Sequence, residues 1–144
     1  MDIQELSDKI EITELLARYA RGVDARDWDL WKTVFTPEAI IDYSSAGAVV
    51  GSRDEVASWL EKGLAAVPMT QHFISNVEIV LNRDRAKVRA MFYNPMHLPG
   101  MDQPSFCGGY YHHDMVRTEV GWRSERLVEE NQWFVNPLEP PLSR

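Results

Sequence analysis

Residues 68–81 read PMTQHFISNVEIVL. Pro68 interrupts what precedes it, and from there apolar and polar residues alternate with the period of a half-buried strand. In that alternation Phe73, Ser75, Val77, Ile79 and Leu81 share one face, and His72, Ile74, Asn76, Glu78 and Val80 share the other. A histidine at the entry of a strand built to support a core has two readings. It is a hydrogen-bonded residue at a sheet edge, or it is a base whose partner comes from elsewhere in the chain. The stretch also decides the fold class, because the chain before it is rich in helical spacing and the chain after it is strand upon strand.

Downstream, Asn82-Arg83-Asp84-Arg85 is a polar hairpin turn joining the strand to a second one over Ala86–Tyr93. Leu98–Pro104 is a longer loop. Phe106–Thr118 reads as a strand, Glu119-Val120-Gly121 as a turn, and Trp122 onward as the last strand. Gly108-Gly109 inside the third of these marks a bulge or a sharp bend rather than a phosphate cradle. Upstream, Ile12, Leu15, Leu16, Tyr19 and Val23 recur at helical spacing, with Asp2 and Glu5 set as a capping box. A short second helix starts at Asp27, buries Trp28, Trp31, Val34 and Phe35, and stops at Pro37. Ala39–Tyr43 is a strand, and Asp54–Leu64 a third helix with Val56, Trp59, Leu60 and Leu64 inward.

Helices gathered first and hairpins last define an α+β layer architecture. A curved antiparallel sheet holding the long helix in its concavity leaves a cone-shaped pocket. The pocket is lined by one sheet face and the end of the first helix. The 144 residues read as one domain, 1–144, in which 136–144 form an irregular tail.

The net charge of −7, with no Lys/Arg run, argues against nucleic acid as a partner. No apolar stretch approaches a membrane span, and the acidic start, Met1-Asp2-Ile3-Gln4-Glu5, is unlike a secretory signal, so the expectation is a cytoplasmic protein. The single cysteine, Cys107, forms no intrachain disulfide and no cysteine-based metal cluster. His112-His113 does not chelate a metal, because neighbouring strand residues point to opposite faces. No Gly-x-Ser-x-Gly or dinucleotide fingerprint is present.

Asp24, where the first helix ends, is the partner proposed for His72. A carboxylate facing one imidazole nitrogen sets the tautomer and stabilises the imidazolium formed after proton abstraction. Asp24 has the competing reading of a turn or cap residue. Tyr19 and Tyr43 are either core residues or buried phenols that donate to a substrate oxygen.

The stretches Val23–Asp29 (VDARDWD), Ile41-Asp42-Tyr43, Thr70-Gln71-His72-Phe73 and Gly121-Trp122 together resemble the SnoaL-like group of the NTF2-like (cystatin-like, cone-shaped) superfamily. The functional likeness is to scytalone dehydratase and the bacterial bile-acid 7α-dehydratases. The resemblance implies an Asp24–His72 catalytic pair, with Tyr19 a further catalytic residue and Tyr43 and Arg126 binding substrate. It also implies that no cofactor is needed. The related hexachlorocyclohexane dehydrochlorinase carries lysine where Tyr19 stands, which leans away from dechlorination. Val23 occupies the place of a tyrosine in scytalone dehydratase, and that enzyme's second histidine has no counterpart near Cys107–Gly109.

The expectation is therefore a cofactor-independent dehydratase of a mostly apolar cyclic or polyketide-like hydroxy ketone. Two rivals stand beside it: an isomerase or polyketide cyclase using the same base, and a non-catalytic binding or assembly module. The five tryptophans and the open sheet face point to a homo-oligomer, a dimer or trimer.

Overall fold

The capping box predicted at the start of the chain is formed. Asp2 Oδ1 accepts from the Glu5 N–H at 2.8 Å and the Glu5 carboxylate accepts from the Asp2 N–H at 2.9 Å, opening helix α1 (Ile3–Asp24). Such a cap contributes about 1 kcal/mol. The structure is a computed structural model and describes residues 1–138. Helix α1 buries Ile12, Leu15, Leu16, Tyr19 and Val23, the stripe expected from the spacing. Helix α2 (Trp28–Lys32), capped by Asp27, packs against it at Gly22, where an added Cβ would stand 2.9 Å from the Trp31 Cα. Only glycine permits that approach.

Pro37 does not end this second helix. The chain turns at Thr33 and Val34, and strand β1 (Phe35–Asp42) runs through Pro37. Proline is tolerated there because the ladder is irregular between Phe35 and Ile40. A short 3₁₀ turn (Ser44–Ala46), β2 (Val50–Ser52) and helix α3 (Arg53–Leu64) follow. Val56, Ala57 and Leu60 of α3 are buried, whereas Trp59, expected inward, is 44% exposed.

Strands β3 (Met69–Thr70), β4 (Phe73–Asn82), β5 (Arg85–His97), β6 (Ser105–Thr118) and β7 (Gly121–Val135) complete one seven-stranded sheet. Its order is β2-β1-β7-β6-β5-β3, with β4 also paired to β5. The hairpins are antiparallel as expected, but β1 lies parallel to β7, so the sheet is mixed. No hairpin dictates the direction of β1, which reaches β7 only after the whole intervening chain. The sheet curls around α1, and the core joins Leu16 and Tyr19 of α1 to Tyr111, Met115, Trp122 and Leu127. One clip holds α1 to the sheet. The buried Asp8 carboxylate accepts from Arg117 at 2.7 and 2.9 Å, from the Trp122 indole N–H at 3.0 Å and from Gln4 at 2.9 Å.

Three bulges break the alternation on which a reading by strand period depends. In β4, Ser75 pairs with Met91 but Glu78 with Arg89, so one residue is extra and Asn76 takes a positive φ of 50°. In β7, Ser124 pairs with Met115 and Arg126 with Asp114, making Glu125 extra. Further along, Asn131 pairs with Gly109 and Trp133 with Gly108, making Gln132 extra. The bend predicted at Gly108-Gly109 is this last irregularity. A Cβ on Gly109 would lie 2.0 Å from the Glu130 carbonyl oxygen. Of the tail expected over 136–144, Asn136 is tied down: its side-chain amide donates to the Gln103 and Pro104 carbonyls, and its own carbonyl accepts from Ser105. The remainder of that prediction, residues 139–144, lies outside the described residues. Among the described residues no helix is long and apolar enough to cross a membrane.

Candidate active site

The bulge at Asn76 answers the question raised by His72. Before it, His72 and Ile74 face inward while Phe73 and Ser75 face out; after it, Val77, Ile79 and Leu81 face inward. The predicted opposition of His72 to Val77, Ile79 and Leu81 is thus corrected. The extra residue puts them on one face, so the imidazole and the core-forming side chains point the same way.

His72 meets Asp24 there. The His72 Nδ1–H donates to Asp24 Oδ1 at 2.6 Å, and the His72 backbone N–H donates to Oδ2 at 2.8 Å. The Thr70 hydroxyl donates to Oδ1 at 3.0 Å. Burial alone would raise the Asp24 carboxyl, but the hydrogen bonds and charge of His72, joined by Thr70, hold it below its usual value. A carboxylate so held keeps the proton on Nδ1 and leaves the lone pair on Nε2. The ring is only 9% exposed and lines a cavity that opens to solvent.

Behind the pair stands Arg26. It adopts a left-handed backbone, φ 57°, in the turn after α1, which costs a non-glycine residue about 1 kcal/mol or more. That conformation lets its guanidinium donate to the Thr70 hydroxyl at 2.8 Å and to the Val23 and Val67 carbonyls at 2.7 and 3.1 Å. Thr70 accepts from Arg26 and donates to Asp24, so its hydroxyl proton has one direction to take. The chain Arg26–Thr70–Asp24–His72 orients the base from the sheet edge inward.

The cavity has a volume of about 160 Å³. Leu60, Leu64, Val67, Met96 and Leu98 form much of its wall, with Trp59 beside them. Three phenols also line it. Tyr19 and Tyr43 share a hydrogen bond at 2.6 Å, and Tyr111 packs edge-on to Tyr19 with ring centroids 5.1 Å apart. Burial pushes all three phenols well above their ordinary value, so they remain protonated donors. Glu129 of β7 faces the same space, where burial pushes its carboxyl up to about 7.

Of the residues expected in the site, Asp24, His72, Tyr19 and Tyr43 come together. Arg126 does not. It is exposed on the outer face of the sheet, among Thr36, Glu38, Ile40 and Asp114. Counting by twos from buried Trp122 and Ser124 would bring Arg126 inward, but the bulge at Glu125 reverses the parity and turns Leu127 and Glu129 inward instead. Sequence reasoning missed Glu129, Tyr111, Thr70 and Arg26. A carboxylate two places after an inward leucine was the available signal for Glu129, legible only once the bulge is known.

Neither His112 nor His113 lines the cavity. His112 lies on the outer face beside Glu130 at 3.2 Å. His113 is buried, its Nδ1–H donating to the Ser124 hydroxyl at 2.8 Å, and burial pulls it down to about 3, so it stays neutral. Burial pushes the Cys107 thiol up to about 11, which leaves it a poor nucleophile. Among the described residues no three His, Cys, Asp or Glu side chains gather to hold a metal ion.

A cone of sheet around one helix, with an Asp–His pair at the helix end, defines a class of small pocket-bearing α+β proteins. Residues 4–128 match the SnoaL-like domain, and the chain belongs to that family. It is 38% identical over 130 residues to an uncharacterised Mycobacterium tuberculosis protein, Rv2910c, spanning 90% of this chain and 88% of that one. Among solved structures, the Kfla4162 protein of Kribbella flavida is 26% identical with a TM-score of 0.84, covering 92% of this chain and 95% of that one. A provisionally named scytalone dehydratase from Novosphingobium aromaticivorans superposes with a TM-score of 0.86 at 18% identity, covering 100% and 99% of the two chains. A type 2 hexachlorocyclohexane dehydrochlorinase does so with a TM-score of 0.84 at 17% identity, covering 99% and 100%. These last two likenesses show the fold, which an NTF2-like protein with a cystatin-like fold from Novosphingobium aromaticivorans shares with a TM-score of 0.71 at 21% identity, covering 88% of this chain and 83% of that one.

Proposed function

We propose that the protein is a cofactor-independent lyase that removes water from an uncharged, mostly apolar cyclic hydroxy ketone. The observation that carries this is the Asp24–His72 pair: Nδ1 is held by a carboxylate at 2.6 Å, and the ring lines an apolar cavity furnished with phenols. His72 Nε2 takes the proton alpha to the carbonyl, and Asp24 stabilises the imidazolium that results. Within the Tyr19–Tyr43 pair one phenol donates to the other, and the O–H left free donates to the substrate carbonyl and steadies the developing enolate. Two structural neighbours bear the names of eliminating enzymes, a dehydratase and a dehydrochlorinase, and a third that of an aromatic ring hydroxylase; the first two support an elimination here. The outer sheet face carries Phe73, Phe106 and Trp133, each about 6 Å from the Tyr93 ring. That exposed aromatic cluster supports pairing of copies into a dimer or trimer.

The test is a mass-spectrometric screen of cyclic β-hydroxy ketones with wild-type protein and His72→Ala in parallel. Loss of one water with wild type alone is the expected result. A product of unchanged mass would replace the dehydratase by an isomerase or cyclase. Equal binding by both proteins without turnover would leave a ligand-binding module in its place.

A further inference from the structure

The cavity holds a second proton-carrying group that the Asp24–His72 pair does not use. Glu129 lines it together with Tyr19, Tyr43 and Tyr111, and among the described residues no lysine or arginine lines it. Its place on β7 is held from outside. The Ser45 hydroxyl donates to the Glu129 carbonyl at 2.6 Å and accepts from the Asn131 N–H at 2.8 Å, clamping the backbone on both sides of Glu130 just before the bulge. Register sets Glu129 opposite Tyr111, while the neighbouring pair Asp42–Val128 brings Tyr43 alongside. A carboxyl group in such a mostly apolar wall costs stability when ionised. A side chain with only a packing duty would be apolar there.

Building on the elimination proposed above, we infer that Glu129 is the acid of the reaction: it protonates the departing hydroxyl while His72 removes the carbon-bound proton. The electron pair of the broken C–H bond forms the C=C bond, and the C–O bond breaks with its pair on oxygen. The proton from Glu129 makes that oxygen water. The enzyme is left with an imidazolium at His72 and a carboxylate at Glu129, and exchange with water at the open cavity resets both. The division of roles follows environment. Asp24, with three donors, stays ionised, whereas Glu129, walled by Tyr19, Tyr43, Tyr111 and Cys107 with Asn131 as its polar neighbour, holds its proton towards neutral pH. Two carboxyls pushed in opposite directions are a usual mark of acid and base assignments.

The experiment compares wild type, Glu129→Gln and His72→Ala on two fused-ring ketones that differ only in a β-hydroxyl or a β-acetoxy group. Acetate leaves without an acid; hydroxide does not. The hydroxyl-to-acetoxy rate ratio is expected to fall about 10²-fold or more in Glu129→Gln, the size of a general-acid contribution. In His72→Ala both rates fall together. Infrared difference spectra of wild type against Glu129→Gln, at slightly acid pH, are expected to show one protonated carboxyl band lost. Glu129→Asp, which withdraws the acid by one methylene, gives an intermediate ratio and serves if the glutamine variant fails to fold. An unchanged ratio with wild type active, or no carboxyl band lost, overturns the role of Glu129 alone. Wild type inert towards both ketones overturns the elimination itself, and this step with it.

Discussion

Exchanging Asp24 for asparagine tests the base without any knowledge of the substrate. The carboxylate accepts two bonds from His72, through Nδ1 at 2.6 Å and the backbone N–H at 2.8 Å. Asparagine has one oxygen. If that oxygen keeps the backbone N–H, the amide nitrogen must face the imidazole, and His72 can meet it only by accepting at Nδ1 and carrying its proton on Nε2. The lone pair then points away from the cavity. A hydrogen bond to a charged group is worth about 1.5–3 kcal/mol, which at 1.36 kcal/mol per tenfold favours the Nδ1–H tautomer in wild type by roughly 10- to 150-fold. Long-range ¹H–¹⁵N correlation spectra of the neutral ring report the tautomer directly. The expected result is a predominantly Nδ1–H ring in wild type and an Nε2–H ring in Asp24→Asn. Turnover of any true substrate falls with it, by about 10³-fold or more. An Nε2–H ring in wild type, or the same tautomer in both proteins, would refute the assignment of His72 as the base.

Two further outcomes bear on the scaffold. Asp8→Asn strips the charge from the clip that ties α1 to β6 and β7, and because the buried carboxylate's partner Arg117 is part-exposed the loss is about 2 kcal/mol, measured by urea denaturation. The Asp8 carboxyl is held far below its ordinary 3.8, chiefly by the Arg117 guanidinium. Its contribution is therefore complete above that value and lost as pH falls towards the folded-state value, so the two denaturation midpoints converge in acid. Gly109→Ala drives a methyl into the Glu130 carbonyl oxygen and costs about 3 kcal/mol or more, with cavity ligands lost because Glu129 is displaced. Gly63→Ala on α3, whose new methyl meets only the Trp59 ring at 3.8 Å, gains about 0.5–1 kcal/mol in the same assay.

The helices were legible because each signal is local. The Asp2–Glu5 box, the stripe from Ile12 to Val23 and the cap at Asp27 involve residues within a few positions of one another. Asp24 and His72 were also legible, through residue type and resemblance, as were Tyr19 and Tyr43. The end of α2 was misplaced at Pro37 because proline excludes a helix interior without excluding an irregular strand. Glu129, Thr70 and Arg26 stayed hidden for another reason. Glu129 turns inward only through a bulge that the chain alone does not show, and Arg26 reaches Thr70 only after α1 and β3 have docked.

The sequence by itself thus determined the three helices, the long strands and their order, and the residue types available for chemistry, but not strand β2 nor the place of Phe35 in β1. Tertiary structure decided which face each side chain presents. The bulges at Asn76, Glu125 and Gln132 arise when two strands of unequal residue count must keep their hydrogen bonds, so they belong to a pair of strands and not to either one. Each reverses the parity of everything beyond it. One brings His72 onto the face of the core, another turns Arg126 out to solvent, and the same reversal turns Glu129 in.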